Sequence, residues 1–206
     1  SNRIKIILES NLYLITNSEN HSIKAVKGAL KAGVKIIQYR SKIDNDSKRI
    51  EEGKQLASLC KEFEALFIVN DRVDLAIILD ADGVHLGEND ISTIEARNIL
   101  GFNKIIGRST HSSLDVEKAS SDGCDYIGLG PIFPTKTKPL LKSIGIKSFQ
   151  DAIKSTNLPC FAIGGISKDN IHHLKSKGIR KFALSREIMS SQDPELTAKF
   201  LLKVAS

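Results

Sequence analysis

Asp125-Tyr126-Ile127-Gly128-Leu129-Gly130-Pro131-Ile132-Phe133-Pro134-Thr135-Lys136-Thr137-Lys138-Pro139 contains a short apolar strand and the loop that leaves it. Residues 125–129 suit a strand covered on both faces. After them neither the helical nor the strand period continues. Gly128 and Gly130 let the backbone turn and come close to a ligand. Pro131, Pro134 and Pro139 stiffen the loop. Thr135, Lys136, Thr137 and Lys138 then alternate hydroxyls with positive charge, which suits a phosphorylated or pyrophosphorylated small molecule. A basic surface loop would carry the same lysines, so the rest of the chain decides between the two.

The same unit, a short apolar run followed by a turn and an amphipathic stretch, recurs along the chain. Strands are expected at residues 12–16, 36–40, 65–69, 83–86, 105–108, 125–129, 159–163 and 180–184. Helices are expected between them, at 21–32, 72–79, 92–100, 113–121, 145–154 and 168–177. Ser47 is the expected cap of a further helix whose 3.6-residue period carries Ile50, Leu56, Ala57, Leu59 and Phe63. A last helix begins at Asp193-Pro194, with Pro in the first helical position, and runs to about residue 204. Eight strand–helix units are the number a closed (β/α)8 barrel needs. An open doubly wound sheet is the competing arrangement, but no GxGxxG turn follows the first strand. No composition break or flexible linker divides the chain, so residues 1–206 read as a single α/β TIM-barrel domain.

Composition narrows the partners. The 206 residues carry a formal net charge of +6, which fits nucleic acid, a membrane surface or an anionic metabolite. Aromatic content of 5% with no Trp argues against stacking platforms for single strands. The lysines are spread among acids on helical stretches, as on solvated faces. No apolar run approaches the roughly 20 residues of a membrane helix, and the first residues show no signal-peptide core. Cys60, Cys124 and Cys160 form no CxxC pair or metal-ligand spacing. This odd count without a framework points to a reducing cytoplasm. A homo-oligomer is compatible with the sequence, which does not specify one.

In such barrels the reacting groups lie at the C-terminal ends of the strands. The second strand ends in Gln38-Tyr39-Arg40-Ser41-Lys42, and alternation turns Gln38, Arg40 and Lys42 to one side. Buried cations there need an anion; a solvated strand end is the plain alternative. The third strand ends in Asn70-Asp71-Arg72 and the fourth in His85-Leu86-Gly87-Glu88-Asn89-Asp90. Asp71 and Asp90 thus occupy neighbouring strand ends, and paired carboxylates beside phosphate-binding cations suggest Mg²⁺, which takes oxygen ligands. Helix N-capping competes for both, and Glu88 is a competing carboxylate. After the fifth strand, Ser109 and Thr110 could donate to phosphate, while Ser112 fits a helix cap. His85 and His111 are candidate acid–base groups, but a lone His on a strand is more often a satisfied structural residue, and that is the favoured reading for both. Gly164-Gly165 lets backbone N–H groups approach a phosphate, with Ser185 and Arg186 after the eighth strand beside it. Two anion sites result: Arg40, Lys42 and Lys138 with the two acids and their metal, and Thr135, Thr137, Gly165, Ser185 and Arg186.

Gln38-Tyr39-Arg40-Ser41-Lys42, Val69-Asn70-Asp71-Arg72-Val73-Asp74-Leu75-Ala76, Asp82-Gly83-Val84-His85-Leu86-Gly87 with Asp90, the segment 128–138 and Ala162-Ile163-Gly164-Gly165-Ile166 together resemble the thiamine-phosphate synthase family, in order over nearly the whole chain. The resemblance implies a TIM barrel that joins hydroxymethylpyrimidine diphosphate to a thiazole phosphate, giving thiamine phosphate and pyrophosphate. It implies that the diphosphate leaves first and that the thiazole nitrogen traps the resulting pyrimidinylmethyl cation. Gln38, Arg40, Lys42, Asn70, Ser109 and Lys138 match the family's pyrimidine diphosphate site, with Arg40, Lys42 and Lys138 as the catalytic cations. Asp71 and Asp90 match its Mg²⁺ ligands, and Thr135, Thr137 and Gly165 its thiazole phosphate site. The chain departs from the family where Arg186 stands in place of a Ser, with Ser185 one position earlier. It departs again in the short segment 139–145 and at Glu88-Asn89. The competing functions are a thiazole tautomerase on the same barrel and a non-catalytic barrel that binds thiamine phosphate.

Overall fold

The computed structural model of the chain describes residues 2–17, 22–42, 45–135 and 141–206. Eight parallel strands close into a barrel in sequence order: β1 (Leu12–Ile15), β2 (Ile36–Tyr39), β3 (Leu66–Asn70), β4 (Gly83–Leu86), β5 (Ile105–Thr110), β6 (Tyr126–Leu129), β7 (Cys160–Ile163) and β8 (Phe182–Leu184). Closure is made by β8 against β1, with Leu12 opposite Phe182 and Leu14 opposite Leu184. The expected (β/α)8 architecture is therefore present, and the open sheet is excluded.

Strand alternation divides the core in two. Leu12, Leu14, Ile37, Phe67, Val69, Ile106, Ile127 and Leu184 face outward and pack with the helices. Tyr13, Ile15, Ile36, Leu66, Ile68, Ile105, Tyr126, Phe161 and Ala183 fill the barrel interior. Both sets are apolar because each parallel strand is covered on both faces.

The outer ring is α2 (Ser22–Ala32), α3 (Asp46–Glu62), α4 (Val73–Ile78), α5 (Thr93–Leu100), α6 (Ser113–Ser121), α7 (Gly145–Ala152), α8 (Ile171–Ser176) and α10 (Pro194–Ala205), preceded by α1 (Asn2–Glu9) and with a single-turn α9 (Arg186–Met189) after β8. Ser92 and Glu95 form a reciprocal capping box on α5. Asp193 caps α10, with Pro194 in its first turn. The expected cap at Ser47 is replaced by Asn45, whose Oδ1 accepts from the Lys48 amide at 3.0 Å. An amide side chain two residues earlier thus takes the capping position.

Helix α1 was not expected from the sequence. It lies across the N-terminal end of the barrel. Ile7 is fully buried in the interior cluster, with Ile4 and Ile6 packed against it. Lys181, just ahead of β8, donates to the carbonyls of Ile7, Leu8 and Ser10 at 3.1, 2.6 and 2.7 Å. Arg3 pairs with Asp82, just ahead of β4, at 2.7 Å. One end of the barrel is thereby closed, and the other is left to the loops that follow the strands. No described helix is long and apolar enough to cross a membrane.

Candidate active site

A cavity of about 450 Å³ opens at the C-terminal ends of the strands. Its wall takes residues from every strand end. Arg40 arrives on the segment leaving β2, and its backbone is pinned by a neighbour on β1's exit. The Thr16 hydroxyl accepts from the Arg40 amide at 2.9 Å and donates to the Arg40 carbonyl at 3.0 Å. Gln38 also lines the cavity and is 2% exposed. Lys42 is exposed and stands outside the cavity wall. Alternation carries two of the three expected side chains inward and stops where the strand stops.

The Asn70-Asp71-Arg72 motif divides. Asn70 and Asp71 line the cavity. Asp71 sits at φ +63°, in the left-handed region, and its amide donates to the His85 carbonyl at 2.9 Å. Such a conformation is costly for a residue with a Cβ. Arg72 is engaged elsewhere: Asp74 takes its Nε and Nη2 at 2.8 and 2.6 Å, and Asp46 its Nη1 at 3.4 Å. The hydrogen bond to Asp74 holds the Arg72 guanidinium above its usual range and that carboxyl below its own.

After β4 the two competing carboxylates separate. Glu88 is exposed, whereas Asp90 turns back so that its Oδ2 accepts from the Gly87 amide at 2.6 Å. Gly87 lines the cavity, which puts the Asp90 carboxyl at its rim. Neither aspartate caps a helix: the α4 cap position is Arg72, and the α5 cap is Ser92. Among the described residues no group of three His, Cys, Asp or Glu is poised to hold a metal.

At the end of β5, Ser109 and His111 line the cavity. Thr110 does not: it is 1% exposed and donates to the Gly128 carbonyl at 3.1 Å, so it is not a phosphate donor. Ser112 caps α6, as its position suggested. His111 Nδ1 lies 2.6 Å from the Gly130 carbonyl, an acceptor, so this nitrogen carries the proton and donates it.

The loop after β6 is tied to β7. Ile132 donates to the Ile163 carbonyl at 2.8 Å and Phe133 to that of Gly164 at 3.1 Å. Gly164 and Gly165 have φ of +98° and +66°, and a Cβ on either would collide with Pro131, or with Phe133 and Pro134. The double glycine is thus required by both conformation and space. Thr135, Gly165, Ser185 and Arg186 all line the cavity. Thr137 and Lys138 lie outside the described residues. Thr16, His85 and His111 complete the wall. The sequence offered no sign of Thr16, because a hydroxyl that pins a neighbouring strand is recognisable only once the strands are paired.

The family model described as thiamine monophosphate synthase matches residues 12–188, from β1 through α9. The chain belongs to the thiamine monophosphate synthase family. It is 52% identical over 191 residues to a thiamine-phosphate synthase of Prochlorococcus marinus, covering 93% of this chain and 55% of that protein. It is 41% identical over 206 residues to a thiamine-phosphate synthase of Synechocystis sp., covering 100% of this chain and 60% of that protein. The chain thus spans little more than half the length of these curated relatives. Among solved structures it resembles a thiamine phosphate pyrophosphorylase from Pyrococcus furiosus, with a TM-score of 0.87 and 34% identity, covering 100% of this chain and 98% of that one. Membership of the thiamine monophosphate synthase family agrees with the closed barrel and with the resemblance carried by the strand-end motifs.

Proposed function

We propose that the barrel joins hydroxymethylpyrimidine diphosphate to a thiazole phosphate, forming thiamine phosphate and pyrophosphate, and that residues 1–206 act as one TIM-barrel domain in doing so. The observation that carries this is the cavity wall. Arg40, Asn70, Asp71 and Ser109 line it together with Thr135, Gly165, Ser185 and Arg186, in a chain of this family.

In this reaction the bond between the pyrimidine methylene carbon and the diphosphate oxygen breaks, and its electron pair leaves with pyrophosphate. The thiazole nitrogen lone pair then forms the new carbon–nitrogen bond. Arg40, with Lys42 and Lys138 from the flanking segments, meets the charge that develops on the departing oxygen. Fixed cations are most effective where charge grows in the transition state. Gln38, Asn70 and Ser109 hold the pyrimidine diphosphate. Thr135, Thr137, Gly165, Ser185 and Arg186 hold the thiazole phosphate, with Arg186 supplying positive charge.

Asp71 and Asp90 would be the residues to hold Mg²⁺, since both carboxylates offer only oxygen. Mg²⁺ held there would supply charge neutralisation at the diphosphate. The partners in this reading are small phosphorylated molecules in the cytoplasm, with no nucleic acid or membrane involved.

The test mixes the purified chain with both substrates and Mg²⁺, omitting each in turn, and measures pyrophosphate. Release that needs all three supports the transferase. Thiazole isomer exchange without pyrimidine would identify the tautomerase. Tight binding of thiamine phosphate with no release would identify a binding barrel.

A further inference from the structure

Beneath the mouth, side chains from five strands form one hydrogen-bonded line through the barrel. Gln38 Nε2 donates to the Tyr13 hydroxyl at 2.8 Å. The Tyr13 and Tyr126 hydroxyls are 2.6 Å apart. Tyr126 lies 3.0 Å from His85 Nδ1, and His85 Nε2 lies 3.0 Å from Ser109 Oγ. Both ends of the line, Gln38 and Ser109, line the cavity.

Proton counting gives the line a direction. An amide nitrogen can only donate, so the Tyr13 oxygen accepts from Gln38. The Tyr13 proton then goes to the Tyr126 oxygen, and the Tyr126 proton to His85 Nδ1, because a buried hydroxyl keeps a partner. With Nδ1 accepting, the neutral imidazole carries its proton on Nε2 and gives it to Ser109. The Ser109 hydroxyl is left to donate into the cavity.

The strands are built to admit this line. A Cβ at Gly107, which pairs with Tyr126 across β5 and β6, would overlap the Tyr126 ring. A Cβ at Gly128 would rest against the His85 ring in ordinary contact at 3.5 Å, so Gly107 is the position that requires glycine. Glycine weakens a strand interior unless something must approach closely there. Tyr13, Tyr126 and Phe161 meet edge to face, with ring centroids 5.3 to 5.9 Å apart, which fixes both phenols. Burial pushes both phenols far above the usual tyrosine value, so each keeps the proton the line needs.

We propose that Tyr13 and Tyr126 are positioning residues that carry the polarity of the Gln38 amide across the barrel through His85 to Ser109. The cavity floor then presents a fixed hydroxyl donor at Ser109, and the Gln38 carbonyl oxygen remains outside the line as an acceptor. That pair suits a heteroaromatic ring with an amino group and a ring nitrogen. The assignment of this ring to the pyrimidine substrate rests on the proposed transferase function.

The direct test is nitrogen-15 NMR of the ligand-free full chain, with the His85 signal assigned by its loss in His85→Phe. The expected result is a proton on Nε2 and a pyridine-type Nδ1. A proton on Nδ1, with pyridine-type Nε2, would mean the line runs backwards and would overturn the proposal. Tyr126→Phe removes one oxygen and keeps the ring. In it, His85 is expected to lose its single tautomer, and KM for the pyrimidine diphosphate to rise about fivefold, the equivalent of one neutral hydrogen bond. KM for the thiazole phosphate is expected to stay unchanged. An unchanged tautomer, or equal rises in both KM values, would contradict the positioning role. A wild-type chain with the Nε2 tautomer but no pyrophosphate release would sink the transferase function and leave the line intact.

Discussion

Asp71 is fastened to the neighbouring strand by the hydrogen bond its amide gives the His85 carbonyl, 2.9 Å away, while its own φ is +63°. The left-handed backbone and the bond together hold this carboxylate at the cavity. Most side chains other than glycine pay about 1–2 kcal/mol for that conformation, whereas Asp tolerates it better because its side chain can bond locally. Asp71→Ala loses the carboxylate and takes on the full strain of a Cβ in this region; Asp71→Gly loses the carboxylate without that strain. Asp71→Gly is therefore expected to be about 1 kcal/mol more stable than Asp71→Ala in urea denaturation. Both should lose at least about a hundredfold in kcat, the scale of removing one preorganised charge-stabilising group.

Thr16 holds Arg40 through two hydrogen bonds to its backbone. Thr16→Val keeps the shape and removes both bonds. The expected cost is about 2 kcal/mol of stability, at roughly 1 kcal/mol for each bond. Arg40 is then loosened, so KM for the pyrimidine diphosphate should rise while KM for the thiazole phosphate does not. Steady-state kinetics with each substrate varied in turn separates these effects.

Gly165 has φ +66°, and a Cβ there would sit 2.8 Å from both Phe133 and the Pro134 carbonyl. Gly165→Ala is expected to cost about 1–3 kcal/mol through strain and to push the loop after β6 away from β7. Its kinetic signature should be a raised KM for the thiazole phosphate. Thermal unfolding and kinetics on one preparation check both parts.

Cys60 and Cys124 are buried, and burial pushes both thiols up to about 12. Their folded values lie above the unfolded ones, so the stability they contribute is fully present below the ordinary thiol range. It is lost as pH rises from that range toward 12. Each thiol contributes up to about 1.4 kcal/mol per pH unit within this window. Denaturation midpoints at pH 8 and pH 10 should therefore fall at the higher pH by more in the native chain than in a Cys60→Ala, Cys124→Ala variant. Neither thiol should react with iodoacetamide at pH 8 until the chain unfolds.

Much of this barrel was legible because each strand is a short apolar run ending in polar residues. The strand-end rule then located Arg40, Asn70, Asp71, Ser109 and Gly165 at the cavity. Lys42 stands outside the cavity wall, because strict side-chain alternation holds only while the chain stays extended, and β2 ends at Tyr39. Helix α1 escaped notice because eight residues show little period, and the surface that buries Ile7 comes from strands spread along the chain. Tyr13 and Tyr126 carry no motif in the sequence that sets them apart from other strand residues. A signal was present in Gly107, a glycine inside a strand, but its meaning depends on the ring opposite.

Product stoichiometry is the sharpest test of the proposed transferase. The full chain is incubated with hydroxymethylpyrimidine diphosphate, thiazole phosphate and Mg²⁺, and thiamine phosphate and pyrophosphate are quantified together, with Lys138→Ala as the folded control. Equal amounts of the two products are expected from the wild-type chain and almost none from Lys138→Ala. Pyrophosphate without thiamine phosphate, or neither product from a folded wild-type chain, would contradict the transferase function.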